Sequence, residues 1–95
     1  MNSKQRAYLR GLANKTSATF QIGKGGINDN FVNQINDILE VRELVKISIL
    51  ENSLTTAREA ANEVSKLTNA DVIQVIGNKF VLYRESKENP TIILP

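Results

Sequence analysis

The chain has no cysteine, no histidine and no tryptophan among its 95 residues. Without Cys there is no disulfide framework and no thiol nucleophile; without His, the Ser-His-Asp triad and the usual Cys/His zinc sites drop out as well. Long apolar runs are also missing. Nothing approaches the roughly 18 residues of a membrane span, and Met1 to Arg10 has no apolar stretch of the kind that directs secretion, so the expected location is the cytoplasm, with no membrane partner. Two prolines and five glycines carry no low-complexity signal. What is present, 41% hydrophobic and 23% charged residues, is the make-up of an ordinary globular protein, and the length predicts one domain over residues 1–95, with residues 85–95 as a C-terminal tail.

Acidic residues are absent from one end. Residues 1–26 carry Lys4, Arg6, Arg10, Lys15 and Lys24 with no acid, a local charge of +5; residues 27–95 carry seven basic and ten acidic side chains, a local −3, and the two together make the net +2. A segregated positive patch attracts polyanions, which puts nucleic acid first among partner classes. On charge alone, a lysine-rich solubilising end is equally open.

The spacing predicts a helix from Lys4 to about Ala13, capped by Ser3, with Tyr8, Leu9, Leu12 and Ala13 on one side and Lys4, Arg6 and Arg10 on or beside the other. Ala18 to Ile22 reads as a strand entering Gly23-Lys24-Gly25-Gly26. A second helix follows, capped by Asn28, with Ile27, Phe31, Ile35, Ile38 and Leu39 at helical spacing and an end near Glu40 to Glu43. Val45, Ile47 and Ile49 alternate with Lys46 and Ser48 as in a strand with one buried face, and a turn is expected over residues 51–55. Thr56 and Glu59 have capping-box spacing at the start of a third helix, in which Ala57, Ala60, Ala61, Val64 and Leu67 recur to about Thr68. Val72 to Ile76 and Phe80 to Arg84, joined by Gly77-Asn78-Lys79, form a hairpin. The expected fold is therefore α/β, in α-β-α-β-α-β-β order, with a mixed four-stranded sheet and three helices. The end of the chain is either loosely held or docked on the domain.

The glycine run is the most informative feature. Glycines let a backbone approach closely, the helix that follows offers free amides and a positive dipole end, and Lys24 adds a full charge, which together suit a phosphate. The spacing fits neither a Walker loop nor a dinucleotide fingerprint, so nucleotide hydrolysis is disfavoured and neither a cofactor nor a small-molecule substrate is expected. What remains is Gly-x-x-Gly, the pattern with which KH domains clamp a nucleic-acid backbone; a plain tight turn is the other explanation. Asp29 competes for the same dipole end. No spacing demonstrates a converging carboxylate pair or an oxygen-ligand metal site, and Glu40 with Glu43, and Glu59 with Glu63, read as solvated pairs. Most aromatics read as core, with an exposed Tyr83 as a candidate for base stacking; Arg84 is either a phosphate contact or a charge guarding a sheet edge.

Lys4-Gln5-Arg6, Leu9-Arg10, Gln21-Ile22-Gly23-Lys24-Gly25-Gly26, Val45-Lys46-Ile47, Gln74-Val75-Ile76-Gly77 and Val81-Leu82-Tyr83-Arg84 occur in the order seen in the CRM-domain family, and the chain resembles its stand-alone bacterial YhbY-like members. The resemblance implies a non-enzymatic RNA-binding domain similar in fold to the C-terminal domain of bacterial translation initiation factor three. It further implies association with rRNA in precursors of the large ribosomal subunit, and hence a part in ribosome assembly. It places the family's Gly-x-x-Gly loop on Gly23 to Gly26 and its basic helix surface on Lys4, Arg6 and Arg10, with Lys15 and Arg84 as further RNA-contact candidates. Two departures lower local basicity: Thr16-Ser17-Ala18 stands where many relatives have Leu-Lys-Pro, and Glu85 stands where many have Pro. The alternative reading is a protein-interaction module using a sheet edge or the tail.

Overall fold

In the computed structural model, which describes every residue except Asn52 and Leu54, helix α1 spans Ser3–Asn14. It starts one residue earlier than expected because Asn2 is the cap. The Asn2 side chain accepts from the Gln5 amide at 2.8 Å and the Gln5 side chain accepts from the Asn2 amide at 3.2 Å, a reciprocal capping box. Strand β1 covers only Phe20–Ile22, two residues shorter than expected at its start. Helix α2 (Asp29–Arg42) begins at Asn28, whose side chain accepts from the Phe31 amide at 2.9 Å, and ends at Glu43 in the left-handed conformation, φ 68°. β2 (Leu44–Ile49) is followed by α3 (Ala57–Thr68), whose Thr56/Glu59 capping box is formed as the spacing predicts. The turn expected over residues 51–55 includes Asn52 and Leu54 and lies partly outside the described residues. β3 (Asp71–Ile76) and β4 (Lys79–Tyr83) close a hairpin through Gly77-Asn78, with Gly77 at φ 57° in the position where a two-residue turn needs it.

The sheet order is β1-β2-β4-β3, with β1 parallel to β2 and the other pairs antiparallel. Both crossovers step the same way along the sheet, so right-handed connections put α2 and α3 on one face. There Phe31, Ile35, Leu39 and Val64 pack on Ile22, Val45, Ile47, Ile49, Phe80 and Leu82. α1 takes the opposite face, where Leu9 and Ala13 meet Leu44, Ile73, Val81 and Tyr83, and the tail adds Ile92 and Leu94. β4 is central and covered on both sides, which is why Phe80 to Tyr83 are buried without alternation. A bulge between Val72 and Gln74 shifts the register of β3.

Two apolar assignments fail at helix edges. Tyr8 is 44% exposed at the edge of the α1 stripe formed by Leu9 and Ala13, and Leu67 is 54% exposed because α3 turns Thr68 inward and so continues its buried stripe from Val64 by four residues instead of three. Among the described residues no helix is long and apolar enough to cross a membrane.

Candidate nucleic-acid interface

Between β1 and α2, the Gly26 amide donates to the Gly23 carbonyl at 3.0 Å, which closes a four-residue turn. Lys24 and Gly25 form its exposed tip. The left-handed conformation falls on Gly26, φ 67°, and not on Gly25, around which a Cβ would meet nothing within 4 Å. The fold thus requires glycine at position 26 and leaves position 25 free. At the start of α2 the Asn28 side chain takes the Phe31 amide and the Asn28 carbonyl takes the Val32 amide, while the amides of Asp29 and Asn30 have no acceptor among the described residues. They supply the open donors of a helix N-terminus beside the glycine turn, with the Asp29 carboxylate at the same place.

The basic residues of α1 separate into two groups. Lys4 is exposed and Arg10 is half-buried. Arg6 is not a free surface cation: its Nη1 donates to the Val72 carbonyl on edge strand β3, in a partly buried position. Its expected exposure is corrected by the way α1 lies against β3, which brings its own side of the helix to that strand. Lys15 is exposed at the C-cap of α1. Lys4 and Lys15 are eleven residues apart and so separated by about 16 Å of helix, and the glycine turn lies past the far end of β1. The candidate cations do not converge on one point.

Three expectations at the other end of the sheet are overturned. Arg84 is neither a free phosphate contact nor an edge charge, because it follows the central strand. Its Nη1 donates to Asn36 Oδ1 and to the Thr68 carbonyl, both at 2.7 Å, and its Nη2 donates to the Asn36 carbonyl at 3.0 Å, tying α2 to the end of α3. Tyr83 is 4% exposed beneath α1 and cannot stack on a base; burial, with Glu43, Glu85 and Asp71 nearby, pushes its hydroxyl above the ordinary value. Glu40 and Glu43 are not a solvated pair. Glu43 is fully buried and accepts from the amides of Ser86 (2.8 Å), Thr91 (2.8 Å) and Ile92 (2.7 Å) and from the Thr91 hydroxyl (3.1 Å). Burial pushes its carboxyl up, but the bonds from Ile92, Ser86 and Thr91 prevail and hold it below the usual carboxylate range. Glu40 accepts from the Ser86 hydroxyl at 2.6 Å and from the Lys87 and Glu88 amides, and these bonds lower its carboxyl too. The tail is therefore docked.

Sequence reasoning missed Lys46, whose Nζ donates to the Ala13 and Thr16 carbonyls at 3.0 and 3.2 Å and closes the C-terminal end of α1. A cation alternating with buried residues on a strand was the available signal, and it reads as solvent-facing until the position of α1 is known.

Residues 1–84 match the CRS1 / YhbY (CRM) domain. The chain is 44% identical over 95 residues to the "Probable RNA-binding protein YqeI" of Bacillus subtilis, covering 100% of this chain and 99% of that protein. It is 30% identical over 88 residues to an "RNA-binding protein" of Haemophilus influenzae, covering 93% and 89%. Among solved structures, it superposes on the solution structure of SAV1595 from Staphylococcus aureus with a TM-score of 0.81 at 49% identity, over 100% of this chain and 99% of that one. With the sheet order and glycine turn in place and the family match spanning every helix and strand described, the chain belongs to the CRS1/YhbY (CRM) domain family.

Proposed function

We propose that this chain is a non-catalytic RNA-binding protein that grips structured rRNA of large-subunit precursors, through the Gly23–Gly26 turn and the exposed basic residues of α1, and so acts in ribosome assembly. The observation that carries the reading is the tip of the turn. Gly25 has ordinary backbone geometry and open space where a side chain would stand, so its lack of a Cβ serves no packing need. A ligand backbone coming close would use that space, with Lys24 and the free α2 amides facing its phosphates. Two relatives whose names call them RNA-binding support the partner class, and the rRNA assignment rests on the family resemblance. Lys4, Arg10, Lys15 and Lys24 are the contact residues in this reading; Arg6 and Arg84 serve the fold.

The protein-interaction alternative has less surface than the sequence suggests. The tail is held by Glu40 and Glu43. Edge strand β1 is only three residues long, and edge strand β3 carries a bulge and the Arg6 bond, features that blunt a sheet edge against pairing.

Lys24→Ala and Gly25→Ala test the reading together. Each leaves the melting temperature unchanged and weakens RNA binding, Lys24→Ala also lowering the slope of log K against log salt by about one unit or slightly less. Unchanged affinity in both variants would reduce the turn to a chain reversal. Sequencing RNA crosslinked to the protein in cells should return large-subunit precursor rRNA; reads spread over unrelated transcripts would remove the ribosomal assignment and leave the RNA-binding one.

A further inference from the structure

The late start of β1 opens a cleft of about 560 Å³ beside α1. β1 pairs with β2 only over Ile47 to Ile49, so the edge of β2 from Leu44 to Lys46, on the side away from β4, has no strand beside it. The segment from Lys15 to Thr19 forms one wall and the end of α2 the other. Three cations, Lys15, Arg42 and Lys46, line the cleft with the hydroxyl-bearing residues Thr16, Ser17 and Thr19; Lys46 is engaged with the Ala13 and Thr16 carbonyls, which leaves Lys15 and Arg42, and among the described residues no carboxylate lines it. Leu12, Ile38 and Ile92 provide the apolar floor, the last brought there by the docked tail. Arg42 and Lys15 stand at the C-terminal ends of α2 and α1 and each suits the negative end of its own dipole, which accounts for each cation singly and not for the two being brought to one carboxylate-free space.

We infer that this cleft takes one unpaired nucleotide of single-stranded RNA, its base against the aliphatic floor and the β2 edge, its phosphate on Lys15 and Arg42. The inference rests on the RNA-binding reading above and adds a second site with a different requirement. The volume falls within the ~300–1,000 Å³ of small-ligand sites, and the lining divides into an apolar floor and cationic, hydroxyl-bearing walls, as a nucleotide divides into base and phosphate. An unpaired strand edge supplies backbone donors and acceptors of the kind that a splayed base uses on its Watson–Crick or Hoogsteen edge. A guanidinium plane can also lie against a base face. Duplex RNA keeps its bases stacked and cannot fill the cleft, so the site would distinguish a loop or bulge from a helix.

The test is an NMR titration of the isotope-labelled full chain with three probes: a single-stranded RNA hexamer of mixed sequence, an RNA duplex containing that sequence, and inorganic phosphate. The hexamer should shift the amides of Ser17, Thr19 and Val45, and the duplex should leave them in place. Arg42→Gln, at an exposed side chain outside the glycine-turn and α1 surface, should weaken the hexamer about tenfold, the effect of losing one charge-assisted contact, with the melting temperature kept. If the hexamer shifts the glycine turn and α1 but the cleft amides stay still, or if the Arg42→Gln variant binds the hexamer as the parent does, the cleft inference is wrong and the RNA-binding reading survives. Phosphate producing the full set of shifts, with no gain from the hexamer, would overturn it in favour of a simple anion site. Failure of both RNAs to bind anywhere would remove the two proposals together.

Discussion

Replacing Glu43 by Gln keeps the shape of the buried side chain and removes its charge, which isolates what the carboxylate contributes. Four donors converge on it: the Ser86 amide on Oε2, and the Thr91 amide, Thr91 hydroxyl and Ile92 amide on Oε1. A glutamine places an NH2 where one oxygen stood. Turned so that its oxygen still serves Thr91 and Ile92, it faces the Ser86 N–H with a donor, and that bond is lost. One hydrogen bond to a charged group is worth about 1.5–3 kcal/mol, and the remaining three weaken as they lose charge assistance, so a total near ~3 kcal/mol is expected. For a chain of this length that is roughly 12–24 °C in Tm if the tail unfolds with the rest, and less if the tail alone lets go. Amide hydrogen exchange at Ser86, Thr91 and Ile92, read beside a thermal melt, separates those cases. The carboxyl is held below its ordinary value in the folded protein, so the unfolded chain takes up the proton more readily. The contribution is therefore complete above the unfolded pKa, about 4.3, and fades as pH falls below it; the Gln variant should lose that part of the acid sensitivity. Unchanged exchange at the three amides, together with a Tm drop under about 4 °C, would refute the role given to Glu43.

Arg84→Lys should lower stability by about 2 kcal/mol, since an ammonium cannot span Asn36 and the Thr68 carbonyl; the Arg84 Nε, buried with no partner among the described residues, keeps the loss from being larger. An unaltered urea midpoint would contradict this. Arg6→Gln should cost about 1 kcal/mol by freeing the Val72 carbonyl and leave the salt dependence of RNA binding as it was; a smaller salt slope with no change in Tm would return Arg6 to the RNA surface. Gly26→Ala should destabilise by about 1 kcal/mol through its positive φ alone, whereas Gly25→Ala should not, and equal melting curves for the two would show that the turn adapts freely.

Much of this fold was legible because its signals are local. The Thr56/Glu59 box, the Asn28 cap and the glycine of the hairpin depend on residues within one turn of each other, and the alternation of Val45, Ile47 and Ile49 follows from the strand repeat. The glycine turn was visible for the same reason, although the sequence does not say which of its glycines the backbone needs. Arg6, Lys46 and Arg84 were misjudged because a cation looks solvent-facing in one dimension, and its acceptors here lie 16 to 66 residues away in the chain.

Composition and order were enough to exclude thiol, histidine and zinc chemistry, to set the succession of elements, and to mark the basic end and the Gly-x-x-Gly turn. Those properties belong to residue identity and short-range spacing, which the chain carries before it folds. The fate of Glu43 and of the tail was decided by tertiary structure alone. A left-handed residue after α2 swings a carboxylate beneath a segment more than forty residues later, and only there do the amides of Ser86, Thr91 and Ile92 outweigh the cost of burying its charge. The cleft beside β2 has the same origin, since the segment expected to pair from Ala18 joins the sheet only at Phe20.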